Sequence, residues 1–127
     1  MGDWNANLKK LPQGIGGLSD KIHQMGMDFG LWIEPEMVNK DSSLYRAHPD
    51  WILHTPGRSS SHSRHQYTLD LTRSEVREYL YHSIAAILNE ADISYIKWDM
   101  NRYITECFSS GEENRRQGEV MHRYMLG

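Results

Sequence analysis

The sequence predicts an α/β fold, a partial (β/α)8 TIM barrel of about two and a half β–α units with a hairpin-containing excursion, and three observations carry that prediction. Helix-period and strand-like segments alternate along the chain. Two short apolar strands flank a strongly amphipathic helix, the order of a parallel crossover, which is right-handed in nearly all sheets. The chain has 127 residues, and a closed (β/α)8 barrel takes ~250. Residues 1–127 are therefore expected to be a fragment of a barrel domain, with no complete domain boundary inside the chain.

The first helix is drawn from Leu18, Ile22 and Met25, with Ile15 ahead of them, at helical spacing; Gly26 follows where a left-handed C-terminal cap is wanted. Phe29 to Ile33 carries apolar and aromatic side chains on both sides, the pattern of a parallel strand covered on both faces, and Pro35 ends it. From Pro35 to Leu71 the chain makes an excursion too long for an ordinary connection, which marks a functional loop or an inserted sub-element. Within it, Trp51 to His54 and Gln66 to Leu71 have the character of hairpin arms around a tip that holds Pro56, Gly57 and the serines. Thr72 opens the next helix, its hydroxyl expected to cap the N-terminus while Glu75 completes a capping box. Val76, Leu80, Ile84, Ile87 and Leu88 form that helix's apolar stripe. Ser94 to Trp98 is the second strand, and Asn114 to Leu126 is helical. Two parallel strands leave two open edges and the last helix has no following strand beside it, so the chain in isolation is expected to self-associate.

Composition narrows the function classes. The chain is 39% hydrophobic and 24% charged, and its longest apolar runs are a few residues, far short of the ~20 that span a bilayer. With no basic-then-apolar signal layout at the start, no membrane association and a cytoplasmic address are expected. Fourteen basic against seventeen acidic residues give a net charge of -3 with the basic residues dispersed, which supplies no field for a phosphate backbone; no nucleic-acid partner is expected. Cys107 is the one cysteine and has no second thiol for a disulfide or a thiolate zinc site. It is expected to be a packing thiol. His62 and His65 stand three apart with His54 across the hairpin, but two histidines without a third ligand make no convincing metal site, and a solvated polar tip accounts for them.

The informative chemistry lies at the strand ends. Side chains alternate along a strand, so Lys97, Asp99 and Asn101 share one face and Ile96, Trp98 and Met100 the other. In a barrel the helix side is apolar, which assigns the polar face to the interior at the C-terminal end of the strand, where barrel active sites are built. Trp32, Glu34 and Glu36 share parity on the preceding strand. A tryptophan beside carboxylates and a lysine suits a sugar: the apolar face of a pyranose packs on indole while its hydroxyls take charged hydrogen-bond partners. Lys97 would favour the ionised form of Asp99. Spacing alone leaves a second reading equally open, in which Lys97 and Asp99 are an interior ion pair filling the barrel.

Three stretches carry a resemblance: Phe-Gly-Leu-Trp-Ile-Glu-Pro-Glu-Met-Val (29 to 38), Tyr-Arg-Ala-His-Pro-Asp-Trp (45 to 51) and Tyr-Ile-Lys-Trp-Asp-Met-Asn-Arg (95 to 102). With Gly-Asp-Trp (2 to 4), Leu-Asp-Leu-Thr-Arg-Ser-Glu-Val-Arg (69 to 77) and Gln-Gly-Glu-Val-Met-His-Arg-Tyr (117 to 124), the chain closely resembles the catalytic domain of glycoside hydrolase family 36, the microbial α-galactosidases. The resemblance implies a retaining mechanism in which Asp99 attacks the anomeric carbon of a terminal α-linked galactose in raffinose- or melibiose-type oligosaccharides, with no cofactor and no metal. It implies that Lys97 and Asn101 bind galactose hydroxyls, that Trp32 lines the same subsite and that Arg64 reaches into it; the asparagine usual after that arginine is His65 here. Glu34 and Glu36 are candidates for support behind these groups, Glu34 by orienting Lys97 or Arg64. The family's paired aspartates for the galactose 4- and 6-hydroxyls are expected upstream of Gly2, and its acid/base aspartate downstream of Gly127. The fragment would then carry the nucleophile without its acid and would be inactive alone, the full-length enzyme being a homo-oligomer that binds an α-galactoside. Two rivals stand beside this reading: a catalytically silent remnant, and a carbohydrate-binding module that would keep Trp32 and Lys97 but has no need of Asp99. Asp70 and Glu106 are expected to be structural.

Overall fold

The computed structural model describes residues 1–127. In chain order the elements are α1 (Gly14–Gln24), β1 (Gly30–Ile33), β2 (Met37–Asn39), α2 (Ser43–Ala47), β3 (Gln66–Thr68), α3 (Ser74–Glu90), β4 (Tyr95–Trp98) and α4 (Val120–Leu126), with single 3-10 stretches at Pro49–Trp51 and Asn114–Glu119. The strands expected to be neighbours are neighbours. β1 and β4 pair in parallel with Trp32 opposite Lys97 and Ile33 opposite Trp98. The ladder runs one step past each end, through Ser94 N to Phe29 O at 2.8 Å and Asp99 N to Ile33 O at 2.9 Å. Both sheets have two strands and neither closes, so the β–α alternation is that of a partial barrel. Phe29 and Ile33 are buried, yet Trp32, Tyr95 and Trp98 are 43%, 66% and 52% exposed, so the covering expected on both faces is present on only part of this sheet.

The core sits in the excursion rather than between the parallel strands. Val38, Leu44, Ile52, Leu53, Tyr67, Leu69, Leu71, Val76, Leu80, Val120 and Tyr124 form one buried cluster, drawing together β2, α2, β3, α3 and α4. Trp51 packs on its edge, stacked on His48 with ring centroids 3.9 Å apart. No helix is long and apolar enough to cross a membrane.

Several local expectations are corrected. The hairpin arms do meet, through an antiparallel bridge between Ile52 and Leu69 and the Leu53 N to Thr68 O bond at 3.0 Å, but the regular partner of β3 is β2, which the sequence reading left out. The reading also lacked α2, whose N-terminus is capped by Ser42 Oγ and by the Asp3 carboxylate, which accepts from Ser43 N at 2.7 Å and Leu44 N at 2.9 Å. That second cap comes from 40 residues away. Along α1 the inward line is Ile15, Ser19 and Ile22, with Ser19 buried and its hydroxyl donating to Asp92 O at 2.8 Å; Leu18 and Met25 face outward. Gly26 does take the left-handed conformation, φ 76°. The capping box at Thr72 is not formed: Arg73 is the N-cap, Glu75 pairs with Arg73 at 2.8 Å, and Thr72 Oγ1 donates to the buried Asp70 at 2.6 Å. A buried carboxylate is costly unless its oxygens are filled, and Asp70 outcompetes the helix end for that hydroxyl.

The tight turn of the hairpin also lies elsewhere. Ser63 and Gln66 exchange backbone bonds of 2.9 and 3.3 Å across Arg64 and His65, at φ 54° and 61°. Two positive φ values in a two-residue loop define a type I′ turn, which favours glycine at its second position. A non-glycine residue there stores ~1 to 3 kcal/mol and persists where its surroundings fix it. Asn39 Nδ2, donating to His65 O at 2.9 Å, is such a fixture. His65→Gly is expected to raise stability by about 1 kcal/mol, read as a higher melting temperature of the full-length protein. An unchanged or lower melting temperature would contradict the strain argument.

Candidate active site

Pairing β1 with β4 sets Trp32 beside Lys97 and lets both strand ends converge on Asp99. The Trp32 indole Nε1 donates to Asp99 Oδ2 at 2.9 Å, Asn101 Nδ2 donates to the same oxygen at 2.8 Å, and Met100 N donates to Oδ1 at 3.0 Å. These contacts hold the Asp99 carboxyl below the usual carboxylate range, the Trp32 bond contributing most and the Asn101 bond next. Lys97 acts on Asp99 through its charge alone and more weakly than any of the three bonds. The interior ion pair that spacing left open is thus not what organises this face. Because the folded-state pKa is depressed, Asp99 is anionic at neutral pH and takes up a proton only as pH falls through a value lower than that of a free aspartate.

On the opposite face, Trp98 Nε1 donates to Glu36 Oε1 at 2.9 Å, and the Tyr124 hydroxyl donates to Glu36 Oε2. Burial and this bond push the Tyr124 phenol strongly upward, so it stays a donor. The shared parity expected for Trp32, Glu34 and Glu36 therefore stops short of Glu36. β1 ends at Ile33, and the turn at Pro35 and Glu36 breaks the alternation. Glu36 joins the strand's far face to α4 and does not support the Asp99 group. Glu34 is on the Asp99 side, 1% exposed, but its partners are neither Lys97 nor Arg64. Its Oε1 accepts from Asn101 N at 2.7 Å and its Oε2 from Gln66 Nε2 at 3.1 Å.

Arg64 occupies the tight turn with its side chain exposed, and no hydrogen bond ties it to Asp99 or Glu34. Two residues the sequence reading did not single out belong to this neighbourhood. Gln66 is buried against Glu34, and Arg102 is 6% exposed, donating to Thr68 Oγ1 at 2.6 Å, Ser61 Oγ at 3.1 Å and Thr105 Oγ1 at 3.2 Å. The signal available for Arg102 was its place directly after Asn101 on the same strand end. A cleft of about 480 Å³ flanks Trp32, bounded by the segment Met1 to Ala6 on its other side. It lies within the ~300 to 1,000 Å³ of small-molecule sites. A larger, mainly apolar groove of about 530 Å³ lies on the helix side beneath Trp98 and Leu80, away from Asp99.

The remaining polar groups act as braces. Glu106 accepts from Thr55 N at 2.7 Å and Ser61 N at 2.6 Å and stands 3.4 Å from His54, which ties the long loop down. Asp70 accepts from Thr72 and Ser109 with no exposure to solvent. Both are structural, as their sequence context suggests. His62 and His65 stack on each other at 6.1 Å, and no group of three potential metal ligands gathers anywhere in the chain. Cys107 is exposed.

Comparison with known proteins places this geometry. The melibiase family model matches residues 1–127. The alpha-galactosidase AgaA of Geobacillus stearothermophilus is 50% identical over 127 residues, which are 100% of this chain and 17% of that protein. The crystal structure of the GH36 alpha-galactosidase AgaB from the same organism matches with a TM-score of 0.96 at 51% identity, covering 98% of this chain and 17% of that one. That of an AgaA variant in complex with raffinose matches with a TM-score of 0.95 at 50% identity over 98% of this chain and 17% of that one. The chain thus spans 17% of the length of these relatives.

Proposed function

The chain belongs to the melibiase family, and from that premise we propose that it is the nucleophile-bearing part of an α-galactosidase that hydrolyses terminal α-galactosides of the raffinose and melibiose type with retention. The observation that supports this most is the Asp99 carboxylate, ionised and held by three donors at the C-terminal end of a barrel strand. A carbohydrate-binding module has no use for that arrangement.

Asp99 attacks the anomeric carbon from the face opposite the leaving group, forming a galactosyl ester while the glycosidic bond breaks. Both lone-pair directions of Oδ2 are taken by Trp32 and Asn101, whereas Oδ1 has a single backbone donor. Oδ1 is therefore the oxygen with a lone pair free to attack. The leaving oxygen takes its proton from an acid that this segment does not supply, and water then attacks the anomeric carbon from the face that the leaving group vacated, breaking the ester, freeing the Asp99 carboxylate and restoring the α configuration. Trp32 offers its ring to the apolar side of the pyranose, Lys97 and Asn101 bind hydroxyls, and Arg64 is carried toward the sugar on its turn. Without the acid, the 127-residue segment alone does not turn over. The test is proton NMR of the full-length protein acting on raffinose: α-galactose is expected as the first product, with the β anomer appearing by mutarotation. Initial β-galactose, or no galactose, would overturn the assignment.

A further inference from the structure

We propose that Glu34 is a positioning residue for the reaction at Asp99, acting through the backbone N–H of Asn101, and that Gln66 fixes Glu34 in turn. This rests on Asp99 being the nucleophile. The parallel ladder gives the starting point: Asp99 N bonds to Ile33 O, and the next inward-facing amide of that row, Asn101 N, would ordinarily take the carbonyl of residue 35. The chain has already turned away at Pro35. Glu34 Oε1 supplies the missing acceptor at 2.7 Å, replacing a backbone carbonyl by a side chain and holding Asn101, three residues past the end of β4.

The Asn101 backbone is thereby fixed where its Nδ2 meets Asp99 Oδ2 at 2.8 Å. The next residue is clamped as well, by Arg102 on Thr68 of β3 at 2.6 Å. Thr68, and Gln66 that holds Glu34, are both on the hairpin that carries Arg64.

Glu34 is 1% exposed and forms no ion pair, a placement that an apolar side chain of its size would fill at lower free energy. Each of its oxygens accepts one protein bond, from Asn101 N and from Gln66 Nε2 at 3.1 Å, and its burial keeps it out of reach of substrate. Gln66 is itself buried, and its Oε1 has no partner, so its amide is oriented toward Glu34 alone. A carboxylate and an amide buried with so little other bonding are placed there by what they hold.

A double-mutant cycle in the full-length protein tests this, with kcat and KM measured on an aryl α-galactoside. Glu34→Ala is expected to lower kcat/KM on the order of 10²-fold, the usual cost of misplacing a reacting constellation by about 1 Å. Glu34→Gln, whose amide oxygen still accepts from Asn101 N, is expected to stay within about fivefold of the parent. Asn101→Ala combined with Glu34→Ala is expected to be no more than about twofold slower than Asn101→Ala alone, because the second change removes an effect already lost. Where Glu34→Ala does not fold, Glu34→Met, of similar length and without an acceptor, takes its place. Effects that multiply in the double variant, or a Glu34→Gln enzyme as slow as Glu34→Ala, would overturn the proposal. A fast Asp99→Asn enzyme would instead overturn the nucleophile assignment and is read separately.

Discussion

Asn in place of Asp99 in the full-length protein is expected to lower turnover of an α-galactoside by roughly 10⁴-fold or more while leaving the fold intact, since the change removes the group that divides one hard step into two easier ones. The amide is nearly isosteric with the carboxylate. Its oxygen can go on accepting from Trp32 Nε1 and Asn101 Nδ2, which leaves only Met100 N, at a partly exposed position, to be satisfied by water. What the amide lacks is an anionic oxygen, the form that the Trp32 and Asn101 bonds to Asp99 favour. The stereochemical control is Asp99→Gly with azide, in which a small anion enters the vacated space and attacks an activated aryl α-galactoside from the same face. Activity should partly return and the product should be the β-galactosyl azide. Near-normal turnover of Asp99→Asn, or an α-configured azide, would remove Asp99 from the role of nucleophile.

That site was legible because it obeys a rule with period two. Alternation along Tyr95–Trp98 and its continuation set Lys97, Asp99 and Asn101 on one face, and the parallel register set Trp32 opposite Lys97. The same rule failed at Glu36, two residues past the end of β1, because the Pro35 turn is a local event that alternation does not register. Two other departures share one cause, a partner distant in sequence: α2 is capped by Asp3, and Gln66 matters because Glu34 lies beneath it. Thr72 is instead drawn from its helix by Asp70, two residues before it, a carboxylate that the distant Ser109 also holds. Helical periodicity ranked Leu18 and Met25 as inward residues of α1, whereas the bond from Ser19 to Asp92 turned the helix onto another line. Hydrophobic pattern thus located the elements, and long-range hydrogen bonds decided their faces and ends.

Those bonds predict a large stability effect at a residue with no part in the chemistry. Asp70 is fully buried, with Oδ1 accepting from Thr72 N at 3.1 Å and Thr72 Oγ1 at 2.6 Å and Oδ2 accepting from Ser109 Oγ. It therefore joins the end of β3's segment, the start of α3 and the loop after β4, three pieces that also enclose the core residues Leu71, Val76 and Val120. Asp70→Ala strips an acceptor from one amide and two hydroxyls at once, and only the hydroxyls can turn to each other across the 3.1 Å that separates Thr72 Oγ1 from Ser109 Oγ. At ~1 to 3 kcal/mol for each buried group left unpaired, the loss should be about 3 to 5 kcal/mol. Asp70→Asn should cost only about 1 kcal/mol, because its oxygen still serves Thr72 while its amide donates to a Ser109 hydroxyl that can accept. In the full-length protein the alanine variant is expected to melt a few degrees below the parent, with the asparagine variant within about 1 °C. Below its melting range the alanine variant should retain kcat and KM, since neither Trp32 nor Asn101 depends on Asp70 for its contact with Asp99. A variant that melts with the parent, or one that stays folded but loses turnover, would show that Asp70 is not the brace its hydrogen bonds describe.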